Sequence, residues 1–190
     1  MLNVKHISFD LDGTLINSIP GMKQAWSETI LELGLAVGFD KYKKYIGLPF
    51  TDILRKLDLD RIEKEIETLY FRKTKILASK VKLNYGAIDI LEWCKSKNIS
   101  TSIITSKPRE NAENIISINK LSVDLLICGD DYKIGKPMPE DGLRVLEKFN
   151  INASDMVYVG DMIFDLQFAQ NLEAHYIHFI NEDENLLPNN

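Results

Sequence analysis

Two aspartates, Asp10 and Asp12, follow an apolar run near the start of the chain, in the stretch HISFDLDGTLINS. Side chains of an extended strand alternate between its faces, so both carboxylates point the same way, about 6–7 Å apart. At that spacing one carboxylate can attack a phosphorus atom while the other reaches the departing oxygen. Gly13 permits a sharp turn directly afterwards, and Thr14 can fix that turn. The pair therefore predicts nucleophilic and acid–base chemistry at a strand end.

Polar side chains also follow three other runs that have the composition of β-strands. Thr105 and Ser106 end the second run, Lys136 follows the third in YKIGKPMPE, and Asp161 and Asp165 follow the fourth in GDMIFD. Ligands of open parallel sheets bind beyond the carboxyl ends of the strands, so we expect these side chains to meet at one edge. Carboxylates and phosphate oxygens suit Mg²⁺, and a lysine there supplies a fixed positive charge for phosphoryl oxygens. The set predicts a site for a divalent cation and a phosphate.

The elements that must position these residues alternate along the chain. Runs rich in β-branched and apolar residues predict strands at 3–9, 99–105, 123–128, 155–160 and 175–180. Helical patterns lie between the later runs, at 85–98, 107–120 and 138–150. Strict alternation of strand and helix predicts an α/β fold, in which a parallel sheet carries helices on both faces.

Residues 16–83 interrupt this alternation. They show no convincing strand pattern, and their helical segments are clearest at 20–33 and 61–78. A strand–helix–strand crossover needs only about a dozen residues, so this interval is too long for one. We therefore expect an inserted helical subdomain at 16–83, which joins a core of residues 1–15 and 84–190 beside the two aspartates. The polar stretch NEDENLLPNN at the end is expected to fray.

Four stretches, DLDGTL, ITSK, GKPMPE and GDMIFD, resemble in the same chain order the four motifs of the haloacid dehalogenase-like hydrolase superfamily. The resemblance covers roughly residues 1–15 and 84–182. It implies a Rossmann-like core, with the helical insert as the α-helical cap that follows the first motif.

The resemblance also implies a role for each residue of the site. Asp10 would be the nucleophile that forms an aspartyl-phosphate, and Asp12 the general acid and then the general base. The phosphate would be bound by Thr105, Ser106, Lys136 and Gly13. The implied cofactor is Mg²⁺, held by Asp10, Asp161 and the main-chain carbonyl of Asp12, with Asp165 either a ligand or behind the ligands.

Details of the motifs narrow the expected reaction. Asp12 favours phosphate-ester hydrolysis or phosphoryl transfer, because dehalogenases of the superfamily lack this second aspartate. The stretch KYIGLPFTD resembles the cap loop of phosphoglycolate-phosphatase-like members, and the histidine and arginine usual in hexose-phosphate mutases are not evident. The resemblance thus favours a Mg²⁺-dependent phosphatase acting on a small soluble phosphate monoester, phosphoglycolate- or sugar-phosphate-like, over a phosphosugar mutase.

Two non-enzymatic alternatives stay open. A phospho-accepting switch like a response-regulator receiver combines similar residues, but in another chain order and without a helical insert. A phosphatase scaffold that only binds a partner through its cap is opposed by the intact set of acids. Asn17 and Glu173 depart from the family pattern, where an acid and a glycine are usual, and they bear on substrate class rather than on mechanism.

Composition limits the possible partners. The chain has 190 residues, 45% of them hydrophobic, and a net charge of −5, which gives no sign of nucleic acid or an anionic membrane as a partner. Its apolar runs are too short to cross a bilayer, and its start lacks a secretory pattern. Cys94 and Cys128 have no metal-type spacing and are expected to be reduced and packed. We expect a cytoplasmic monomer or homodimer whose partner is a small phosphorylated metabolite.

Overall fold

The computed structural model describes residues 3–180, as seven strands, eight α-helices and three 3-10 turns. The strands are β1 (His6–Phe9), β2 (Ile16–Asn17), β3 (Lys82–Leu83), β4 (Ser100–Ile104), β5 (Leu125–Ile127), β6 (Met156–Gly160) and β7 (His175–His178). The α-helices are α1 (Ile19–Glu32), α2 (Phe39–Lys43), α3 (Phe50–Lys56), α4 (Glu63–Leu77), α5 (Ala87–Ser96), α6 (Arg109–Asn119), α7 (Glu140–Phe149) and α8 (Ile163–Leu172). The 3-10 turns are Asp60–Ile62, Ala78–Lys80 and Ala153–Asp155.

Five strands form one parallel sheet in the order β5–β4–β1–β6–β7. The central strand β1 is buried along its whole length, and its residue His6 lies opposite Ser100 of β4 and Met156 of β6. Successive side chains of β4 face opposite ways: Ile103 packs with residues of α5 and α6, and Ile104 packs with residues of α7 and α8. The prediction of a parallel α/β sheet with helices on both faces is confirmed.

The helical segment between β2 and β3 has a hydrophobic cluster of its own. Helices α1 to α4 surround Trp26, Tyr42 and Tyr70, whose rings pack together with the Trp26 and Tyr42 centroids 4.3 Å apart. Phe50 stacks on Tyr70 at 5.1 Å between ring centroids. Aromatic pairs of this kind add to the free energy gained from burial, so the segment can hold its shape over the sheet.

A short antiparallel pair joins the two parts of the chain. Ile16 and Asn17 of β2 lie opposite Leu83 and Lys82 of β3, and the backbone N–H of Asn84 donates to the carbonyl of Leu15. The expectation of no strand in residues 16–83 is wrong at this point. Two-residue strands carry no alternation that a sequence pattern can detect. The division at residues 15 and 84 stays a prediction, and β2 and β3 lie just inside its two boundaries.

Within residues 3–180 we find no helix long and apolar enough to span a lipid bilayer. The stretch at 181–190, expected to fray, lies outside the described residues.

Candidate active site

Asp10 follows β1 and lies against a buried lysine. Its backbone N–H donates to the carbonyl of Val159, so the residue continues the pairing of β1 with β6. The Lys136 Nζ lies 2.6 Å from Asp10 Oδ1 and 2.8 Å from Asp165 Oδ1. Lys136 also donates to the hydroxyl of Tyr158 at 3.1 Å. With Lys136 1% exposed, this ammonium group is satisfied entirely by the site.

Asp161 and Asp165 reach the same place from the end of β6. Thr14 donates its hydroxyl to Asp161 Oδ1 at 2.9 Å, and the backbone N–H of Met162 donates to Asp165 Oδ2 at 3.0 Å. A Cβ added to Gly13, where φ is +96°, would stand 2.3 Å from Asp161 Oδ2. One added to Gly160 would stand 2.5 Å from the Cβ of Asp165. Glycine at these two positions is thus what lets both carboxylates enter the site.

Three carboxylates, those of Asp10, Asp161 and Asp165, each offer one oxygen atom within 4.8 Å of the others. Burial raises the pKa of Asp10 well above its ordinary value, with Lys136 opposing that shift and Asp165 adding to it. Burial, and then Asp165, raises the pKa of Asp161 to about 7. For Lys136, Asp10 and Asp165 together outweigh the effect of burial and raise its pKa, so it stays charged.

One ammonium group thus faces three carboxyls, of which those of Asp10 and Asp165 are buried and that of Asp161 is half-buried, so negative charge is in excess. A hard divalent cation that takes oxygen ligands would remove this excess, and the donor set consists of carboxylate oxygens alone. The residues present therefore fit Mg²⁺. The Asp12 carboxylate is not part of this cluster, so a metal contact from Asp12 falls to its main-chain carbonyl and stays a prediction.

Asp12 lies in a cavity of about 40 Å³ between the sheet and the helical segment, and Asp10 lines the same cavity. Lys107 Nζ stands 3.2 Å from Asp12 Oδ1 as an ion pair without hydrogen-bond geometry, and that oxygen is buried with no hydrogen-bond partner. A buried carboxylate oxygen left without a donor is costly in a folded protein. Lys107 thus compensates the charge of this oxygen but leaves its hydrogen-bonding capacity unused.

Thr105 and Ser106 line this cavity as well, at the end of β4. The Thr105 hydroxyl accepts from the backbone N–H of Lys107 at 3.2 Å, while Ser106 donates its hydroxyl to the carbonyl of Gly47 at 2.6 Å. Thr105 therefore stays on the sheet side, whereas Ser106 connects the sheet to the helical segment. A phosphate contact from either residue, or from Gly13, stays a prediction.

Three residues of the site were not anticipated from the sequence. Lys107 directly follows two residues that were singled out, so its position was a usable signal. Asn84 donates its side-chain amide to the carbonyls of Gly13 and Thr14, both at 2.9 Å, and fixes the turn after Asp12. Tyr158 donates to Asp165 Oδ1 at 3.3 Å, but within an apolar strand it has no distinguishing pattern.

The sequence of this chain is similar to those of known proteins. The sequence model of the family described as haloacid dehalogenase-like hydrolase matches residues 7–179. A phosphoglycolate phosphatase from Aquifex aeolicus is 34% identical over 166 residues, which cover 85% of this chain and 78% of that protein. A phosphorylated carbohydrates phosphatase from Thermotoga maritima is 28% identical over 192 residues, with 95% and 89% covered.

A solved structure shows the same fold. The crystal structure of a hydrolase from Pseudomonas syringae matches with a TM-score of 0.85 at 23% identity, over 92% of this chain and 83% of that one. The predictions of the family, of its α/β fold and of a phosphatase-type enzyme are confirmed. The chain belongs to the haloacid dehalogenase-like hydrolase family.

Proposed function

We propose that this protein is a Mg²⁺-dependent phosphatase that hydrolyses a small soluble phosphate monoester through an aspartyl-phosphate on Asp10. The observation that carries the proposal is the placement of Asp10 and Asp12 on one cavity, with only Asp10 held by Lys136. Two carboxylates in different surroundings can take different roles, one as nucleophile and one as proton donor.

Asp10 is the nucleophile in this proposal. Lys136 holds one of its carboxylate oxygens, which fixes the group in the cavity before substrate arrives. As the bond from Asp10 to phosphorus forms, the bond from phosphorus to the ester oxygen breaks. Lys136 also balances charge on the phosphoryl oxygens, with Thr105, Ser106 and Gly13 as the further phosphate-binding positions.

Asp12 handles the proton in both steps. It first gives a proton to the departing alcohol oxygen, and it then takes one from the water that attacks phosphorus, which releases phosphate and frees Asp10. Asp12 lines the cavity where both oxygens would stand, and its Oδ1 accepts no hydrogen bond. Lys107, at 3.2 Å, supplies the nearby positive charge when Asp12 is ionised.

Mg²⁺ would be held by Asp10, Asp161 and the main-chain carbonyl of Asp12, with Asp165 beside them, and it would neutralise the clustered carboxylates and the phosphoryl oxygens. Asp165 already has both oxygens engaged, by Lys136 and by the N–H of Met162. Asp161 uses Oδ1 to accept from Thr14, which leaves Oδ2 for a direct ligand bond. These contacts support Asp161 as a direct ligand and Asp165 as the group behind it.

Turnover of p-nitrophenyl phosphate with Mg²⁺ tests the proposal, with Asp10→Asn as the matched control. We expect turnover by the wild type that falls at least about 1,000-fold in Asp10→Asn and stops in EDTA. Wild-type activity no higher than that of Asp10→Asn would contradict it. Isomerised phosphosugar without free phosphate would instead establish the mutase. The cytoplasmic location and the monomeric or homodimeric state stay predictions.

A further inference from the structure

We propose that the substrate of this site is a monoester whose leaving group is uncharged, such as an alcohol or polyol, and not a phosphorylated carboxylic acid. This rests on the phosphatase function proposed above. It follows from the part of the cavity wall that the helical segment supplies, since that wall must surround the leaving group once the phosphoryl group sits against Asp10.

The wall on the helical side is apolar and aromatic. It consists of Gly47 and the side chains of Met22, Tyr42, Ile46, Leu48, Phe50, Ile53, Tyr70 and Phe71. Within residues 3–180, no lysine or arginine of this segment lines the cavity. A carboxylate or second phosphate on the leaving group would therefore lose its water against hydrocarbon and find no cation in return.

The polar groups of this wall are two phenols. Tyr42 and Tyr70 share one hydrogen bond, with 3.0 Å between their oxygens, and both rings are 2% exposed. Burial raises the pKa of both hydroxyls, so they stay neutral at any ordinary pH. Neutral phenols supply no positive charge, so they do not replace the missing cation for an anionic leaving group.

The charges on the sheet side of the cavity also favour an uncharged leaving group. Asp10 and Asp12 supply negative charge to the cavity, and Lys107 is the positive group among its lining residues. Lys107 is already paired with Asp12, and its side chain is 7% exposed. A second anion in the substrate would have this one lysine as its partner on the lining and would compete for it with Asp12.

Two esters of nearly equal size provide the test: 2-hydroxyethyl phosphate and 2-phosphoglycolate, which differ by a hydroxymethyl group against a carboxylate. We expect the wild-type kcat/KM to be on the order of 100-fold higher for 2-hydroxyethyl phosphate. A ratio below about 10 overturns the inference. If Asp10→Asn is then inactive on both esters, the proposed phosphatase function survives that outcome. Failure of the wild type on both esters and on p-nitrophenyl phosphate would overturn both proposals.

A positive charge introduced into the apolar wall of the cavity provides a second test. Leu48 lines the cavity and is 6% exposed, so Leu48→Lys supplies the missing cation, with Leu48→Met as the uncharged control of similar length. We expect Leu48→Lys to move the ratio toward 2-phosphoglycolate by about 10-fold or more, while Leu48→Met keeps the wild-type preference. Melting curves show whether each variant is folded. Equal ratios in two folded variants would overturn the inference, and if Leu48→Lys does not fold, the wild-type ratio decides.

Discussion

A titratable side chain is buried at each end of β1, but the two side chains have different partners. At the start of the strand, His6 is fully buried, with its ring nitrogens 2.7 and 2.9 Å from the hydroxyls of Ser100 and Ser102. After its end, Asp10 lies 2.6 Å from the ammonium of Lys136. Burial lowers the pKa of His6 to about 4 and raises that of Asp10, so at both ends it acts against the charged form.

The partners account for the difference. The contacts of the His6 ring are neutral hydroxyls that bind a neutral ring, and Ser102 is itself 2.6 Å from the hydroxyl of Ser8. The charge of Asp124 raises the pKa of His6, but burial outweighs it. Asp10 has a charged partner that is useful only if the carboxylate is ionised, because Lys136 keeps its proton. The strand therefore holds a neutral polar network where packing alone is needed and a charged one where the proposed chemistry takes place.

Removal of Lys136 should have the largest effect on the difference between the two ends of β1. Lys136→Met leaves Asp10 and Asp165 buried with no cation between them, and we expect a loss of about 3–5 kcal/mol in the free energy of unfolding at pH 7. Acid should recover part of this loss, because a protonated carboxyl needs no counter-charge. Urea unfolding in EDTA measures it, with the exposed Lys133→Met as the control. Equal stability of the two variants would contradict the interpretation of Lys136 as an obligatory partner.

A fall in pH should affect His6, at the start of β1. In the unfolded chain His6 binds a proton near its ordinary pKa of 6.5, whereas in the fold it does so only near 4. The unfolded state therefore binds more protons between these values. The stability that His6 contributes, present above pH 6.5, is lost as the pH falls toward 4, by up to about 3 kcal/mol.

Unfolding measured across that range in the wild type and in His6→Gln isolates this contribution, since the remaining carboxyls titrate alike in both proteins. We expect the flatter pH dependence in His6→Gln. Identical slopes would show that His6 is not kept neutral.

Removal of one hydroxyl, that of Ser102, tests the neutral network around His6. Ser102→Ala removes a partner from both the His6 ring and Ser8, and we expect a loss of about 1–2 kcal/mol in unfolding free energy. Ser27→Ala on the exposed face of α1 is the matched control and should change stability by less than about 0.5 kcal/mol. The same small change in both variants would rule out an energetic role for the network.

The smallest effect lies at the end of α8, the helix that carries Asp165. Glu173 caps this helix with a φ of +61°, in the left-handed region where a Cβ is unfavourable. Glu173→Gly should stabilise the protein by about 1 kcal/mol, seen as a higher melting temperature, with no change in site chemistry. Glu173→Ala keeps the Cβ and serves as control, so an equal gain there would point to charge and not to backbone conformation.

The sequence predicted those parts of the site that depend on strand ends. Asp10, Lys136 and Asp161 each follow a strand pattern, and the carboxyl ends of parallel strands share one edge whatever the details of packing. At position 173, where the family usually has glycine, Glu173 has a positive φ, the backbone conformation that favours glycine.

Other features depend on contacts between distant segments, and no local pattern contains them. The pairing of Lys107 with Asp12, the shared hydrogen bond of Tyr42 and Tyr70, and the reach of Ser106 to Gly47 each need the helical segment or a loop to arrive from elsewhere. Whether Tyr42 and Phe50 line a cavity is likewise decided only by the assembled fold.

The pairing of β2 with β3 has a consequence for how this chain can vary. Because the outgoing and returning backbones run side by side and Asn84 binds the carbonyls of Gly13 and Thr14, the whole helical excursion starts and finishes at one spot. Residues can be added to or removed from that excursion without changing the gap its two ends bridge. A related protein can therefore carry a different helical segment while the residues at the ends of the sheet strands, Asp10 and Lys136 among them, keep their arrangement.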